Sequence, residues 1–402
     1  MKILPVAAAF GLACTPLAHA EADNTFNPAM SVILDGRFIA YQNNPDHYEL
    51  PGFALGGEAG LASEGFSLAH SEITASANVD DRFYGKLTLA LAEHEGETEA
   101  ELEEAFLETI ALSGGFTLRA GRFFAASGYL NEQHEHAWDF ADAPLVYGGL
   151  WGNKYIDDGV RLSWLSPTDL FVEIGAEAFN GSGFPAGGES SSGVGSAVGF
   201  FRLGGDIGDS QSWLAGLSLF SAEVTDRDAG GHDHGGGEDA VEIPSFTGES
   251  DTAALALVYK WAPDGNYRYS HLKLQGEFFL RREEGEVVME NSEPLESTTY
   301  RGRQRGYYLQ ATWQFWQEWR IGFRHDALQS DNRAADTDIL AEAGLDDEGV
   351  RPRRDSVMGE WLPSEFSRVR LQYNHDQSGE DSDRQLILQY TISLGAHGAH
   401  SY

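Results

Sequence analysis

Apolar and polar residues alternate along many segments of this chain, most clearly in the last one, residues 385–395. One face of this segment carries Leu386, Leu388, Tyr390, Ile392 and Leu394. The other face carries Gln385, Gln389, Thr391 and Ser393, with Ile387 as the exception. A period of two residues predicts a β-strand whose two faces meet different surroundings. Those surroundings are lipid and a wet lumen in a membrane barrel, or a core and solvent in a sandwich.

Sixteen segments follow this pattern, and most have the length of about 10–14 residues that a tilted strand needs to cross a membrane. They are 30–41, 66–79, 82–93, 102–112, 115–124, 156–166, 170–180, 196–208, 212–225, 251–262, 269–285, 305–316, 319–328, 353–362, 365–376 and 385–395. The pattern therefore predicts an all-β fold, a transmembrane antiparallel β-barrel of about 16 strands.

The connections between these segments alternate in length with little exception. The short ones are residues 79–82, 113–115, 166–169, 208–211, 262–265 and 363–365. The long ones are residues 42–65, 125–155, 181–195, 226–250, 286–304 and 329–352. Short periplasmic turns and long extracellular loops are typical of outer-membrane barrels, whereas a sandwich has no reason to sort its loops in this way. An even strand count places both termini in the periplasm, and only about nine residues precede the first strand after the predicted cleavage site, too few for a plug.

The first twenty residues have the features of a secretion signal. Lys2 precedes a mostly apolar run, and Ala18-His19-Ala20 fits a small-x-small cleavage site. We therefore expect a signal peptide at 1–20 and one barrel domain at 21–402, in the bacterial outer membrane. A lipoprotein signal that uses Cys14 is the alternative. Cleavage after Ala20 removes the one cysteine, which excludes a disulfide framework from the mature chain.

Composition narrows the range of partners. The chain has 27 Lys and Arg against 63 Asp and Glu, a net charge of −36, and removal of Lys2 makes the mature chain one charge more negative. This balance argues against nucleic acid and anionic lipid and is compatible with attraction of cations. The 23 Phe, 15 Tyr and 9 Trp suit aromatic girdles. Trp313, Phe315, Trp316 and Trp319 are candidates, since they flank one short turn.

Histidine placement is the most informative chemical feature. His232-Asp233-His234 lies between glycines, and His134-Glu135-His136 lies among Glu132, Asp139 and Asp142. Imidazole with carboxylate suits Zn²⁺, Cu²⁺ or Ni²⁺. We therefore predict metal ligands at His232, Asp233, His234, His134 and His136, with solvated polar loops as the alternative. The isolated His70, His271 and His325 are expected to be ordinary barrel residues.

Five stretches resemble a porin-like outer-membrane family similar to phosphate-selective porins, some of whose members are labelled zinc-regulated TonB-dependent outer-membrane receptors. The stretches are Ala120–Phe123, His134–Phe140, Trp151–Asn153, Glu360–Arg368 and Ser393–His400. The resemblance implies an outer-membrane channel with a link to zinc supply. The chain departs from the receptor label because no plug is visible, and from strong anion porins because its loops are so acidic.

The loop 125–155 is the third extracellular one, and in sixteen-stranded porins that loop folds inward and narrows the pore. The same placement would bring Glu132, Asp139 and Asp142 to the constriction. The alternation puts basic residues on the lumen wall, namely Arg161, Arg320, Arg324, Arg368 and Arg370. An acidic loop facing a basic wall would create a transverse field that orients polar solutes. The alternative is that these charges pair with each other and stabilise the barrel.

No catalytic motif is present in the sequence, neither Gly-x-Ser-x-Gly nor a phosphate loop nor His-Glu-x-x-His. We therefore predict a non-enzymatic channel for diffusion of small polar solutes or ions, linked to uptake of zinc or another divalent metal. The alternative is a receptor that captures metal without steady conduction. The expected partners are outer-membrane lipid, small solutes or metal ions and, by analogy, two further copies in a homotrimer. We expect that no cofactor is required and that any zinc ion is only weakly bound.

Overall fold

One continuous antiparallel sheet closes on itself to form the barrel. The computed structural model describes residues 28–94, 97–187, 193–228, 243–263, 265–290 and 295–395. The strands are β1 (Ala29–Ala40), β2 (Gly65–Ser67), β3 (Ser71–Asn78), β4 (Phe83–His94), β5 (Glu97–Thr109), β6 (Phe116–Phe124), β7 (Ile156–Leu165), β8 (Phe171–Phe179), β9 (Ser196–Ile207), β10 (Gln211–Asp228), β11 (Ile243–Trp261), β12 (His271–Glu290), β13 (Glu296–Trp316), β14 (Trp319–Ala334), β15 (Arg353–Ser364), β16 (Ser367–Gln377) and β17 (Asp383–Gly395).

Strand pairing confirms a closed barrel of sixteen positions. Each strand pairs with its neighbours in sequence, and β1 pairs with β17 from Ser31 opposite Gly395 to Ala40 opposite Leu386. The strands β2 and β3 both pair with β1 and occupy one position, because the chain leaves the sheet between Ser67 and Ser71. Closure gives each of the sixteen positions two neighbours, as a lipid environment requires.

The outward face carries an apolar belt of the kind that contacts lipid. On β12 the exposed residues Leu274, Phe278 and Leu280 alternate with buried polar ones such as Gln275 and Glu277. The aromatic residues predicted as a girdle are also outward and exposed: Trp313, Phe315, Trp316 and Trp319. The inner face is thus polar and the outer face apolar within the belt.

The exception noted in the last strand also has an explanation. Ile387 is on the inner face of β17 and packs against Ile39 and Ala141. Ala141 belongs to the loop 125–155, so this loop reaches the inner wall of the barrel.

The bounds predicted for two loops, 226–250 and 286–304, were wrong, because the strands continue through much of these ranges. The strands β10 to β13 are 18, 19, 20 and 21 residues long. Above the belt the outward face becomes polar, as at Arg282 and Arg301, while the inward face mixes apolar residues such as Val287 and Tyr300 with polar ones such as Thr298. Charged outward residues suit water above the bilayer, and they made these extensions look like loops in the sequence.

A hydrophobic core fills the extracellular half of the lumen. It is built from inward-folded connections, including the helices α1 (Leu145–Trp151) and α2 (Thr337–Glu342). Trp151 is fully buried, with its ring 5.1 Å from that of Phe220 and 6.3 Å from that of Phe279. Phe53, from the first long loop, belongs to the same core. Packed side chains therefore narrow the lumen at this level.

Neither of the described helices is long and apolar enough to cross a membrane.

Candidate constriction and its charged contacts

The loop 125–155 crosses the inside of the barrel and is fixed by wall side chains that accept hydrogen bonds from its backbone. Glu177 on β8 accepts from the amide of Ala126 at 2.9 Å. Ser218 on β10 accepts from the amide of Gly128 at 3.0 Å. Because a loop inside a barrel has no sheet partner for its amides, these wall acceptors satisfy groups whose burial would otherwise be costly.

Glu277 on β12 is the strongest of these anchors. It accepts from the backbone amides of Tyr129 at 2.6 Å and Leu130 at 3.0 Å. It also accepts from the hydroxyl groups of Tyr147 at 3.0 Å and Tyr308 at 2.6 Å. One wall carboxylate thus ties the start of the loop to α1 and to the neighbouring strand.

The predicted loop acids meet arginines and a lysine of the wall. Asp139 lies 2.9 Å from Arg320 and 3.0 Å from Lys273. Asp142 lies 2.9 Å from both Arg324 and Arg354. Asp142 also accepts from the side-chain amides of two further wall residues, Gln372 at 2.6 Å and Asn374 at 2.9 Å.

These arginines keep the loop carboxylates ionised. Burial alone would raise the pKa of Asp139, but the nearby Lys273 and Arg320 outweigh it and hold that pKa below its usual range. Burial opposes ionisation of Asp142 in the same way, and Arg324 and Arg354 lower its pKa. The charges are therefore paired across the interface between loop and wall.

The remaining predicted wall residues also contact the loop. Arg161 pairs with Glu132 at 2.9 Å and with Glu177. Arg368 and Arg370 donate to loop carbonyl oxygens, those of His136 at 2.5 Å and Trp138 at 2.9 Å. The structure thus brings all eight predicted constriction residues to the interface between the loop and the wall.

Histidines and glutamates meet where the loop faces β3 and β5, in place of the aspartates and arginines of the other side. The carboxylate of Glu72 lies 2.8 Å from His136 Nδ1 and 3.0 Å from His134 Nδ1. Glu103 Oε2 lies 3.3 Å from His134 Nδ1, and Glu103 Oε1 lies 2.8 Å from His70 Nε2. His134 Nε2 is 2.8 Å from Glu104. We call these six residues, Glu72, Glu103, Glu104, His70, His134 and His136, the His/Glu cluster.

Local irregularities of the sheet create the His/Glu cluster. The pairing of β4 with β5 shifts between Thr88 opposite Glu104 and Leu89 opposite Leu102, which leaves Glu103 as the extra residue of a β-bulge. A bulge lets two consecutive side chains point to the same face, and Glu103 and Glu104 are both buried in the lumen. The break between β2 and β3 changes which alternate positions face outward, from Phe66 before it to Ile73 after it, and thereby leaves His70 and Glu72 on the inner side.

The two loop histidines are held by a short turn. The 3₁₀ helix Glu135–Ala137 follows His134, and the rings of His134 and His136 stack with centroids 5.5 Å apart. Burial works to lower the pKa of His134, but the carboxylates of Glu72, Glu103 and Glu104 outweigh it and raise that pKa well above its usual value. His134 therefore acts as the counter-charge of these acids in the absence of another cation.

Lys154 closes the cluster on its far side. Its ammonium group lies 3.0 Å from Glu103, 3.2 Å from Glu135 and 3.3 Å from Glu58. Burial lowers the pKa of Lys154, but these three carboxylates outweigh that effect and raise it well above its usual value. Glu135 also pairs with Arg37 at 3.2 Å.

Of the predicted metal ligands, the structure brings His134 and His136 together with carboxylates that the sequence analysis did not select. Glu72, Glu103 and Glu104 were missed, and His70 was expected to be an ordinary barrel residue. The signal for the acids was present, because two adjacent glutamates inside an alternating segment indicate a bulge. His232, Asp233 and His234 lie outside the described residues.

The lumen on the periplasmic side of the loop is more open and carries charges of both signs. Arg119 and Glu108 pair at 2.6 Å, and each keeps about a fifth of its side chain exposed, 21% and 23%. Arg202 and Glu173 pair at 3.1 Å and are 21% and 19% exposed. This part of the lumen is therefore a polar, solvent-accessible vestibule.

No protein-family model matches the chain. An uncharacterized protein of Aquifex aeolicus is 30% identical over 404 residues, which cover 94% of this chain and 80% of that protein. The similarity covers nearly the whole barrel.

Solved structures with the same fold are outer-membrane proteins. The trimer form of OmpT of Vibrio cholerae has a TM-score of 0.54 and 10% identity, covering 91% of this chain and 99% of that one. The outer-membrane channel DcaP of Acinetobacter baumannii has a TM-score of 0.53 and 10% identity, covering 91% and 97%. The anion-selective porin of Comamonas acidovorans has a TM-score of 0.53 and 8% identity, covering 91% and 99%. With the apolar belt, this fold locates the chain in the bacterial outer membrane.

Proposed function

Because this chain belongs to the family of the Aquifex aeolicus protein and folds as a closed sixteen-stranded barrel, we propose that it is an outer-membrane channel for diffusion of small polar solutes or ions. The observation that carries the proposal is the polar inner wall of a barrel of this size, crossed by an inserted loop. Barrels of 16 strands are wide enough for an aqueous path, and a loop across the lumen limits what passes.

The packing around the loop argues for a narrow path. On β16 the inner side chains of Arg370, Gln372 and Asn374 are fully buried against the loop. The path is expected to run from the vestibule of Arg119 and Arg202 past the loop near the partly exposed Glu132. Because that path carries charges of both signs, a solute that crosses it meets hydrogen-bond donors and acceptors.

We further propose that the channel serves divalent metal uptake. The acidic, histidine-bearing loops support this, since imidazole and carboxylate bind Zn²⁺. His232, Asp233 and His234 would capture metal at the mouth. Titration of Zn²⁺ into protein carrying His232→Ala and His234→Ala tests that step, and unchanged affinity relative to the parent removes those residues from the proposal.

We also propose a homotrimer and a non-enzymatic role. The trimer is supported by the trimer form of the Vibrio cholerae relative in fold. Chemical cross-linking of the protein in native membranes checks it, and a monomer at every cross-linker concentration contradicts it. The mature protein is proposed to begin at Glu21 after removal of residues 1–20, which the intact mass of the purified protein would decide.

The channel proposal is tested with liposomes that contain the purified protein. Small sugars such as arabinose should enter and swell the liposomes, while a large oligosaccharide should not. The variant Asp142→Ala loosens the loop and should admit larger sugars, and Asp331→Ala, an exposed acid of the outer surface, is the matched control. Absence of swelling with every sugar and every salt would favour a receptor that captures its ligand without steady conduction.

A further inference from the structure

The His/Glu cluster brings together the residue types of a metal site. One donor atom each from Glu72, His134 and His136 lies within 4.8 Å of the others, and so does one each from His70, Glu72 and Glu103. Glu72 Oε1 lies 2.8 Å from His136 Nδ1, Glu72 Oε2 lies 3.0 Å from His134 Nδ1, and Glu103 Oε2 lies 3.3 Å from the same nitrogen of His134. Ligands at roughly 2.0–2.1 Å from a tetrahedral Zn²⁺ are separated by roughly 3.3 Å. Glu72, His134 and His136 are therefore close enough to bind one ion, with Glu103 beside them.

The partners of Glu72 also point to a cation. Every ion pair of this buried carboxylate within the described part of the chain is with a histidine: His70, His134 or His136. The loop carboxylates Asp139 and Asp142 instead pair with arginine or lysine, whose charge is permanent. Histidine can release its proton and bind a metal through the same nitrogen atom, so it can exchange a proton for an ion.

A second observation, at a buried oxygen of Glu103, also supports a bound cation. Glu103 is 2% exposed, and its Oε2 atom has no hydrogen-bond partner among the described residues, although it lies 3.3 Å from His134 Nδ1. A buried carboxylate oxygen without a hydrogen bond is costly. A cation placed between Glu72, His134 and His136 would satisfy this atom.

The charge around the cluster leaves room for a divalent ion. Five carboxylates meet there, those of Glu58, Glu72, Glu103, Glu104 and Glu135. Three permanent cations contact them, Lys86, Lys154 and Arg37. Arg37 is also shared with Asp35, at 3.5 Å. The carboxylates therefore outnumber the permanent cations, and a divalent ion would add positive charge where carboxylates are in excess.

From this geometry we propose that the His/Glu cluster binds a divalent transition-metal ion, with Glu72, His134 and His136 as ligands and Glu103 as the fourth. The ion joins the inserted loop to the bulge of β5 and to β3. Metal therefore ties the loop to this wall of the barrel and changes the width of the path beside it. The inference deepens the proposed function by naming a cation site, and it rests on that function only for the effect on conduction.

Co²⁺ is the probe for this site, because tetrahedral Co²⁺ absorbs visible light and reports its ligands. The full-length mature protein, purified in detergent, should bind Co²⁺ with such a spectrum, and Zn²⁺ should displace it. The variants Glu72→Gln and His136→Gln should each weaken Co²⁺ binding by more than about 100-fold, since removal of a ligand exceeds the effect of an outer-shell change. Their folding is checked by the resistance of the barrel to SDS before heating.

One control separates this site from other histidines. His325→Gln removes a histidine that also lies 2.7 Å from a carboxylate, that of Asp355, but on the outer surface of the barrel. This variant should keep the Co²⁺ spectrum of the parent.

The outcomes are distinct. A parent without the spectrum, or folded Glu72→Gln and His136→Gln variants with unchanged affinity, overturns the metal site. Because binding is measured in detergent, it does not depend on conduction. A protein that binds Co²⁺ at this site but never conducts would contradict the proposed channel and leave the metal site standing.

Discussion

The inserted loop contacts the barrel wall through two regions that both use carboxylates but give them different partners. On one side Asp139 and Asp142 meet Lys273, Arg320, Arg324 and Arg354. On the other side the wall supplies the acids, Glu72 and Glu103, and the loop supplies His134 and His136. The first region has fixed charges of opposite sign. In the second region the carboxylates face histidines, whose charge depends on whether they bind a proton or a metal ion.

The difference in partners indicates different roles for the two regions. A buried aspartate that faces two arginines is matched at every physiological pH, so its contribution is to hold the loop in place. A buried glutamate that faces histidines is matched either by protons or by a metal ion. We therefore assign the aspartate region to fixing the loop and the histidine region to ligand binding.

The largest expected effect comes from the aspartate region. Asp142→Ala leaves Arg324 and Arg354 buried with one fewer carboxylate each, and loss of one partner of a buried ion pair costs about 3–5 kcal/mol. The free energy of unfolding, measured in lipid vesicles by denaturant titration, should fall by that amount. A loss below about 1 kcal/mol, no larger than expected of an exposed pair, would contradict the fixing role.

The second-largest expected effect is stabilisation of the protein by metal bound at the histidine region. A ligand that binds only the folded protein stabilises it, by about 2.7 kcal/mol at a concentration of 100 times its Kd. Zn²⁺ at that ratio should raise the free energy of unfolding of the parent and of Asp331→Ala. It should leave Glu72→Gln unchanged. Equal stabilisation of parent and Glu72→Gln would place the metal elsewhere.

Acid should weaken the aspartate region. The pKa of Asp142 is lowered from its ordinary 3.8 by Arg324 and Arg354, against the effect of burial. Its contribution to stability is therefore present above the ordinary pKa and is lost as the pH falls through the lowered one. The denaturant midpoint of the parent should therefore fall as the pH is lowered below 3.8, and that of Asp142→Asn should fall less. Parallel pH curves would contradict this assignment.

The smallest effect is expected outside the barrel. Glu284 and Arg301 pair at 2.5 Å on the outer surface above the belt, with side chains 66% and 75% exposed. Solvent screens such a pair, so Glu284→Gln should change the free energy of unfolding by less than about 1 kcal/mol. A change as large as that of Asp142→Ala would mean that burial of an ion pair does not determine how much the pair stabilises the protein.

Much of the fold could be predicted from the sequence because lipid imposes a strict pattern. Each of the sixteen alternating segments corresponds to a strand or, for 66–79, to the pair β2 and β3. The extensions of β10 to β13 could not be predicted in the same way, since above the belt outward residues such as Arg301 are charged. The inward residues there are of both kinds, polar ones such as Arg227 and Thr298 and apolar ones such as Val287.

The candidate site could be predicted only in part, because some of its residues depend on local irregularities of the sheet. Loop residues such as His134 and Asp142 are conspicuous in the sequence, and so are the wall arginines. Glu72 and Glu103 became ligand candidates only through a strand break and a bulge, which bring wall residues from different strands to one loop. Pairwise contacts of this kind depend on where the loop runs inside the barrel, and no periodicity encodes that.

The channel itself is tested most directly by the current through single copies of the purified parent protein in a planar lipid bilayer with salt on both sides. The account predicts discrete, stable steps of conductance as each barrel inserts, smaller than the steps of Asp142→Ala. A folded protein that inserts many times without any step would contradict it.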